Sequence, residues 1–152
     1  MKLKVIKKET YSPPIVNEWV KDDGYNLKFC SISNHTFSLN LNLVYGDYDE
    51  FKKYLKQEFG TLLEHESCVA MVVSGIKDKK GIIWHFMLIQ SNDWTAKDYG
   101  ILAHETHHFV HFGLGEKGIN YGESGEECFA YTQGYFMEMI VRAFVHLRRK
   151  SK

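Results

Sequence analysis

Residues 101–113, ILAHETHHFVHFG, place four histidines and one glutamate within eight positions and flank them with apolar residues. His104, Glu105 and His108 satisfy the pattern H-E-x-x-H. On an α-helix, residues i and i+4 lie one above the other, so His104 and His108 can present imidazole nitrogens to one ion. Glu105 is turned by about 100° from His104, beside such an ion, where a general base for a water molecule belongs. The stretch therefore predicts a helix and is typical of a catalytic zinc site.

A catalytic zinc needs a third protein ligand and one open coordination position. Glu127, in the segment ESGEECFAY, is the first candidate for this ligand, and Glu126 is the second. His111 shares a face with His104 but lies one turn beyond His108, about 10 Å along the helix from His104. One ion could not bind all three imidazoles, so we expect His111 to line the cleft or to be partly buried.

Glu127 also has a purely structural alternative. Ser124 and Glu127 have the spacing of a capping box, which would make Glu127 the residue that closes the start of the last helix. The ligand interpretation is favoured by Ala130 and Gly134, which follow Glu127 at helical spacing. Such a strip of small residues would let this helix approach the histidine helix closely. The sequence leaves both interpretations open.

The first half of the chain carries the pattern of a sheet with one helix. Residues 10–26 contain both prolines and predict an irregular connection. A hairpin is predicted over residues 27–45, where apolar and polar residues alternate, and an amphipathic helix over 47–60. Two continuous apolar runs, at 67–76 and 81–90, predict central strands that are buried on both faces.

Two long helices are predicted at the C-terminal end. The first runs from the capping box of Thr95 and Asp98 to about Phe112, with Gly113 as its stop. The last helix covers about 124–148 after a glycine-rich loop. Strands followed by two long helices predict an α+β fold, in which these helices pack on one face of a mainly antiparallel sheet.

The composition excludes several classes of protein. The 152 residues suffice for one compact domain over residues 1–152, and Lys+Arg and Asp+Glu both number 19. There is no net basic field to attract nucleic acid or an anionic membrane. Cys30, Cys68 and Cys128 lack a CxxC spacing, which argues against disulfides and against a cysteine-rich zinc site. The chain shows neither a signal-peptide core nor an apolar run long enough to cross a membrane, so we expect a cytoplasmic protein.

The motif and its surroundings resemble a known family. AHETHHFVH, followed after a short loop by EECFAYTQGY, is similar to the small HExxH…ExxAY zinc metallopeptidases of tailed phages and prophages. In pattern it also resembles the gluzincin-like metallopeptidases of the ImmA/IrrE group. The resemblance covers roughly residues 84–140, and the N-terminal half adds no motif to it. It implies a zincin-like fold with Zn²⁺ as cofactor, acting on a peptide or protein substrate in the host cytoplasm.

The resemblance also implies roles for individual residues. By position, His104, His108 and Glu127 would be metal ligands, and Glu105 would be the catalytic acid/base that activates water and protonates the leaving amine. Ala130 and Tyr131 match the small-then-aromatic pair of the family.

Other groups in the region have mainly structural interpretations. Tyr131 is the first candidate to donate a hydrogen bond to a developing oxyanion. For Tyr121 and Tyr135 core packing is the expectation, and His85 is expected to be a satisfied core histidine. The strand over 81–90 is either a central strand or an edge that pairs with an extended peptide substrate.

Two alternatives to an enzyme remain at this stage. The first is a non-catalytic phage effector or assembly protein that keeps the zinc site as a scaffold. The presence of Glu105 argues against it, because a purely structural zinc site has no use for that acid. The second is a metal-free interaction domain in which the histidines form only the polar face of a helix.

Overall fold

A computed structural model of the chain describes residues 18–64, 66–90 and 93–150. Its strands and helices are, in chain order, β1 (Val20–Asp22), β2 (Leu27–Asn34), β3 (Leu39–Tyr45), α1 (Tyr48–Phe59), β4 (Ala70–Lys77), β5 (Ile83–Ile89), α2 (Ala96–Glu116) and α3 (Glu126–Lys150). An irregular connection was predicted over 10–26, and residues 10–17 of it lie outside the described residues. In its described remainder the prediction missed β1, which is short and largely exposed and therefore carries no apolar alternation.

The five strands form one mixed sheet in the order β1-β2-β3-β5-β4. Neighbouring strands run antiparallel except for β3 and β5, which are parallel. The parallel pair arises because the chain leaves β3, passes through α1 and β4, and then returns beside β3 in the same direction. The α+β class and the largely antiparallel pairing are thereby confirmed.

Alternate residues of a strand point to opposite faces of the sheet, and different helices cover the two faces. One face packs against α2 and α3, as predicted for the two long helices. The strand residues on this face include Ile32, Leu41, Leu43, Met87 and Ile89. The other face packs against α1, through a cluster that includes Leu27, Val44, Phe51, Leu55, Phe86 and Leu88. The sheet is therefore the middle layer of three, with α1 on the face away from the histidine motif.

Strand β4 lies at an edge of the sheet, where the sequence predicted a central strand. Strand β5 pairs with β3 on one side and with β4 on the other, as expected for a central strand. The two faces of β4 are nevertheless covered, because Met71 packs in the cluster of α1 and Ala70 in the cluster of α2 and α3. An apolar run reports burial of both faces of a strand, and it carries no information on whether the backbone edge is paired.

Helix α2 begins as predicted and ends later than predicted. Thr95 and Asp98 form the expected capping box, but the helix continues through Gly113 to Glu116. Gly113 is buried, and a Cβ at this position would lie 3.0 Å from Cδ2 of Leu39 on β3. The predicted stop was wrong because the glycine serves close packing of the helix on the sheet.

Helix α3 lies beside α2 and makes hydrogen bonds to β2 and to Trp19, the residue before β1. The hydroxyl of Tyr135 donates to the carbonyl oxygen of Ser33 on β2 at 2.6 Å. The indole N–H of Trp19 donates to the carbonyl oxygen of Ala143 at 2.8 Å. In the described part of the chain, neither α3 nor any other helix combines the length and apolar character needed to span a membrane.

The start of α3 depends on a glycine. Gly125 is buried, and a Cβ there would overlap the backbone carbonyl oxygen of Asn120. We predict that Gly125→Ala lowers the free energy of unfolding by about 1–3 kcal/mol, because backbone must shift to relieve the overlap. At Gly122 a Cβ meets no atom within 4 Å, so Gly122→Ala should change stability by less than about 0.5 kcal/mol. Urea unfolding followed by circular dichroism measures both variants, and equal stabilities would contradict the prediction.

Candidate metal centre on helix α2

Two of the predicted ligands come together on α2. The Nε2 atoms of His104 and His108 lie 3.0 Å apart, and the two rings are perpendicular with centroids 4.5 Å apart. Both side chains are exposed. Nitrogen atoms bound to one tetrahedral zinc at about 2.0–2.1 Å would be about 3.3 Å apart. The pair therefore fits one zinc ion with an adjustment of a few tenths of an ångström.

Glu105 is directed towards the edge of the sheet. Its Oε2 accepts a hydrogen bond from the backbone N–H of Val72 on β4 at 2.9 Å. On the other side of β4, Val69 is paired with Gln90, whose N–H donates to the Val69 carbonyl oxygen. Because alternate residues of an antiparallel strand bond to the same neighbour, the backbone groups of Ala70 and Val72 point away from β5. The acid is thus held at the edge of β4 that faces away from β5, and it directly follows His104 in the helix.

Cys68 is the cysteine whose thiol lies within the electrostatic reach of Glu105. Burial and, next, the negative charge of Glu105 raise the pKa of Cys68. Burial also raises the pKa of Cys30, to about 12. Cys30, Cys68 and Cys128 form no disulfide within the described residues.

Helices α2 and α3 run antiparallel and meet along one stripe of α3. Phe129 packs against the ring of His111, with centroids 4.6 Å apart. One turn further, Oε1 of Gln133 lies 3.4 Å from Nδ1 of His107. After another turn, Sδ of Met137 lies 3.3 Å from Oγ1 of Thr106. The stripe of α3 that faces α2 is therefore defined by Phe129, Gln133 and Met137.

This stripe decides which carboxylate of α3 faces the histidine helix. Glu126 lies three positions before Phe129 and seven before Gln133, so it belongs to the stripe. Glu127 lies two positions before Phe129 and is therefore turned about 160° away from it. Both glutamates are exposed. The helix phase therefore turns Glu126 rather than Glu127 towards α2, whereas the sequence favoured Glu127. Because Phe129 lies beside His111, Glu126 lies beyond His111, on the side away from the His104 and His108 pair.

Within residues 18–64, 66–90 and 93–150, no group of three His, Cys, Asp or Glu side chains forms that could hold a metal ion. His104 and His108 are brought together and Glu105 lies alongside them. Glu126 and Glu127 are in the first turn of α3, separate from the pair.

Two predictions about the start of α3 were wrong. Ala130 and Gly134 are both exposed, and a Cβ at Gly134 would meet no atom within 4 Å. The strip of small residues does not form the helix contact, which is made by larger side chains instead. The capping box of Ser124 and Glu127 is out of register, because Phe129 N–H donates to the carbonyl oxygen of Gly125, which directly precedes α3.

The remaining aromatic candidates divide between the core and the surface. His111 is half-buried and packs against Phe129 and Tyr121, as one of its predicted alternatives required. Desolvation first, and then His107 and His108, lower the pKa of His111. Tyr135 uses its hydroxyl on β2, as expected for core packing. Tyr131 is 56 % exposed, and Tyr121 is also exposed, contrary to the expectation of core packing.

A second polar site lies at the C-terminal end of α2, and no sequence pattern predicted it. His85 is buried with its Nε2 3.4 Å from Oε2 of Glu116, while its Nδ1 has no hydrogen-bond partner. Desolvation lowers the pKa of His85 and outweighs the opposing effect of Glu116. The expectation of a core histidine was right, but only one ring nitrogen is satisfied. The residue borders a cavity of about 300 Å³ lined by Ser38, Leu39, Asn40, Ile83, His85, Glu116 and Lys117.

Comparisons of the chain with protein-family models, with curated proteins and with solved structures gave no match.

The hydrogen bond between Glu105 and β4 can be tested directly. We predict that Glu105→Ala speeds hydrogen exchange at the Val72 amide by about tenfold or more, because a bond to a charged acceptor contributes about 1.5–3 kcal/mol. Glu105→Gln retains a carbonyl acceptor and should give a smaller change. Glu116→Ala, on the same helix but outside this contact, is the control. Unchanged exchange at Val72 in Glu105→Ala would show that the carboxylate does not hold this amide.

Proposed function

We propose that this chain is a zinc-dependent metallopeptidase of phage or prophage type with a zincin-like fold, which hydrolyses a peptide or amide bond. The observation that carries the proposal is the 3.0 Å separation of the His104 and His108 Nε2 atoms on a helix whose next residue is Glu105. An exposed bis-imidazole pair with a carboxylate beside it is the donor set that a catalytic zinc uses.

The proposed ion would be a single zinc with a mixed nitrogen and oxygen ligand set. His104 and His108 would supply the nitrogen atoms, and the third ligand would be a carboxylate from the first turn of α3, which would have to move towards the pair. The family resemblance implies Glu127 for this role, and the phase of α3 is an argument for Glu126. A bound zinc ion would polarise the scissile carbonyl and lower the pKa of a water molecule.

Glu105 would be the proton carrier. It would take a proton from the attacking water and later give it to the leaving amine. In the free protein its carboxylate is held by the Val72 amide at 2.9 Å, which keeps the acid close to the histidine pair. Tyr131 was the first candidate from the sequence for the oxyanion donor. It lies two positions after Phe129 and is therefore turned about 160° away from the stripe that faces α2, so it would have to be reoriented to take this role.

The edge of β4 that faces away from β5 is the proposed surface for the substrate. An extended peptide that adds to this edge would bond to the outward backbone groups of Val72, where Glu105 bonds in the free protein. It would also compete with Glu105 for the Val72 amide and so release the carboxylate for proton transfer.

One observation favours the alternative, a non-catalytic phage effector or assembly protein with a retained zinc site. The hydrogen bond to Val72 gives Glu105 a structural use that needs no chemistry. The two functions differ in what Glu105→Gln does, because only an enzyme requires this residue for turnover.

We predict that His104→Ala removes about one zinc ion per chain, since one imidazole is too few to hold the ion. Of Glu126→Ala and Glu127→Ala, the variant that also loses zinc identifies the third ligand. His35→Ala, at an exposed histidine in the β2–β3 turn, is the control and should keep its zinc. Metal analysis after equilibrium dialysis measures the content, and an unchanged value in His104→Ala would exclude this centre.

We predict that Glu105→Gln lowers the cleavage rate by about 10²–10⁴-fold, the contribution of general acid–base catalysis, while its zinc content stays that of the wild type. A mixed peptide library read by mass spectrometry supplies the substrate. Cleavage that persists at the wild-type rate in Glu105→Gln would rule out the mechanism. Zinc binding without any cleavage by the wild type would favour the scaffold alternative.

A further inference from the structure

Helix α2 carries a second pair of histidines at i, i+4 spacing, which the H-E-x-x-H motif does not include. The rings of His107 and His111 have centroids 4.3 Å apart. This is slightly closer than the 4.5 Å between His104 and His108, the pair whose Nε2 atoms lie at zinc-binding separation. His107 is exposed and His111 is half-buried. The two rings of the second pair are therefore as close to each other as those of the first pair, and His107 is open to solvent.

The surroundings of His107 fix which ring nitrogen is free. The amide N–H of Gln133 donates to the carbonyl oxygen of Ala103, so the carbonyl Oε1 of Gln133 is the atom turned towards His107. That oxygen lies 3.4 Å from Nδ1 of His107. Because a carbonyl oxygen only accepts, Nδ1 carries the proton and Nε2 keeps its lone pair. Metal-binding histidines are commonly oriented in this way, by a hydrogen bond from the ring nitrogen that does not bind the metal.

The ring of His111 is also held in place. It packs against Phe129 with centroids 4.6 Å apart and against Tyr121 with centroids 5.4 Å apart. Phe129 is itself buried in the core. The rings of Phe129 and Tyr121 also contact each other, with centroids 5.2 Å apart. An imidazole packed in such a cluster of three rings has less rotational freedom to lose when it binds an ion. Both members of the pair are thus oriented before any ligand arrives, one by a hydrogen bond and one by packing.

We propose that His107 and His111 form a second metal site, distinct from the His104 and His108 centre, with Gln133 as its positioning residue. Imidazole nitrogens select transition-metal ions such as Zn²⁺, Cu²⁺ and Ni²⁺ over Mg²⁺ and Ca²⁺. Water molecules would complete the coordination, because no third His, Cys, Asp or Glu among the described residues joins the pair. The site does not depend on peptidase activity, and it holds whether or not the first pair binds zinc.

The test counts zinc ions at saturation in the full chain. Protein freed of metal by a chelator is titrated with Zn²⁺ in a calorimeter, and bound zinc is measured after dialysis. We expect about two ions per chain in the wild type, about one in His104→Ala/His108→Ala, about one in His107→Ala/His111→Ala, and none in the variant with all four changes. The same titration with Mg²⁺ should give no binding. Far-UV circular dichroism checks that each variant is folded.

The two proposals fail in different ways. If the wild type binds one ion and His107→Ala/His111→Ala still binds one, the second site does not exist and the proposed catalytic centre survives. If the single ion is lost only in His107→Ala/His111→Ala, the second site holds and the catalytic centre fails. A wild type that binds no zinc overturns both.

Gln133 gives a separate test of the positioning role. We expect Gln133→Ala to weaken zinc binding at the second site about 10–100-fold, as loss of an outer hydrogen bond to a ligand does, and Gln133→Glu, which retains an acceptor oxygen, to restore it. Both variants are made on the His104→Ala/His108→Ala background, so only one site is observed. If both Gln133 variants bind zinc as tightly as the His104→Ala/His108→Ala parent, Gln133 does not position the second site.

Discussion

The burial of one stripe of α2 determines where the histidines and Glu105 of this helix point. Leu102, Thr106, Phe109 and Val110 face the core, and Gly113 lets the helix approach β3. Because successive residues of a helix are rotated by 100°, fixing this stripe also fixes the directions of the side chains between its members. His104 and His108 face solvent, Glu105 meets the edge of β4, and the second histidine pair turns towards α3. The chemistry of the surface is thus set by packing underneath it.

The edge of β4 is shaped by the same packing. Between Val73 and Ile76 the register of β4 against β5 shifts, and Gly75 adopts a φ of 74°. A Cβ at Gly75 would lie 2.8 Å from Cζ of Phe112 on α2. The irregularity therefore makes room for an aromatic side chain of α2, and Glu105 adds a hydrogen bond two turns before it. Together these contacts fix the open strand edge relative to the histidines.

The two histidine pairs lie on the same helix, α2, but differ in their surroundings. The first pair lies between the edge of β4 and solvent, with an acid beside it, which suits a reactive site open to a peptide. The second pair lies against α3, with an amide and two aromatic rings around it, which suits ion binding without chemistry. The difference follows from the neighbouring elements, since the spacing within each pair is the same.

The sequence by itself determined the local structure of this protein. Period-two alternation predicted the β2–β3 hairpin, the capping box of Thr95 and Asp98 predicted the start of α2, and the motif placed His104 and His108 on one face. Each of these depends on neighbours within a few residues. Only the tertiary structure decided that β4 is an edge strand and that Gly113 packs on Leu39. It also decided that Glu126 faces α2 and that Gln133 reaches His107. These depend on pairing and helix phase between distant segments, which a local pattern of apolar and polar residues does not encode.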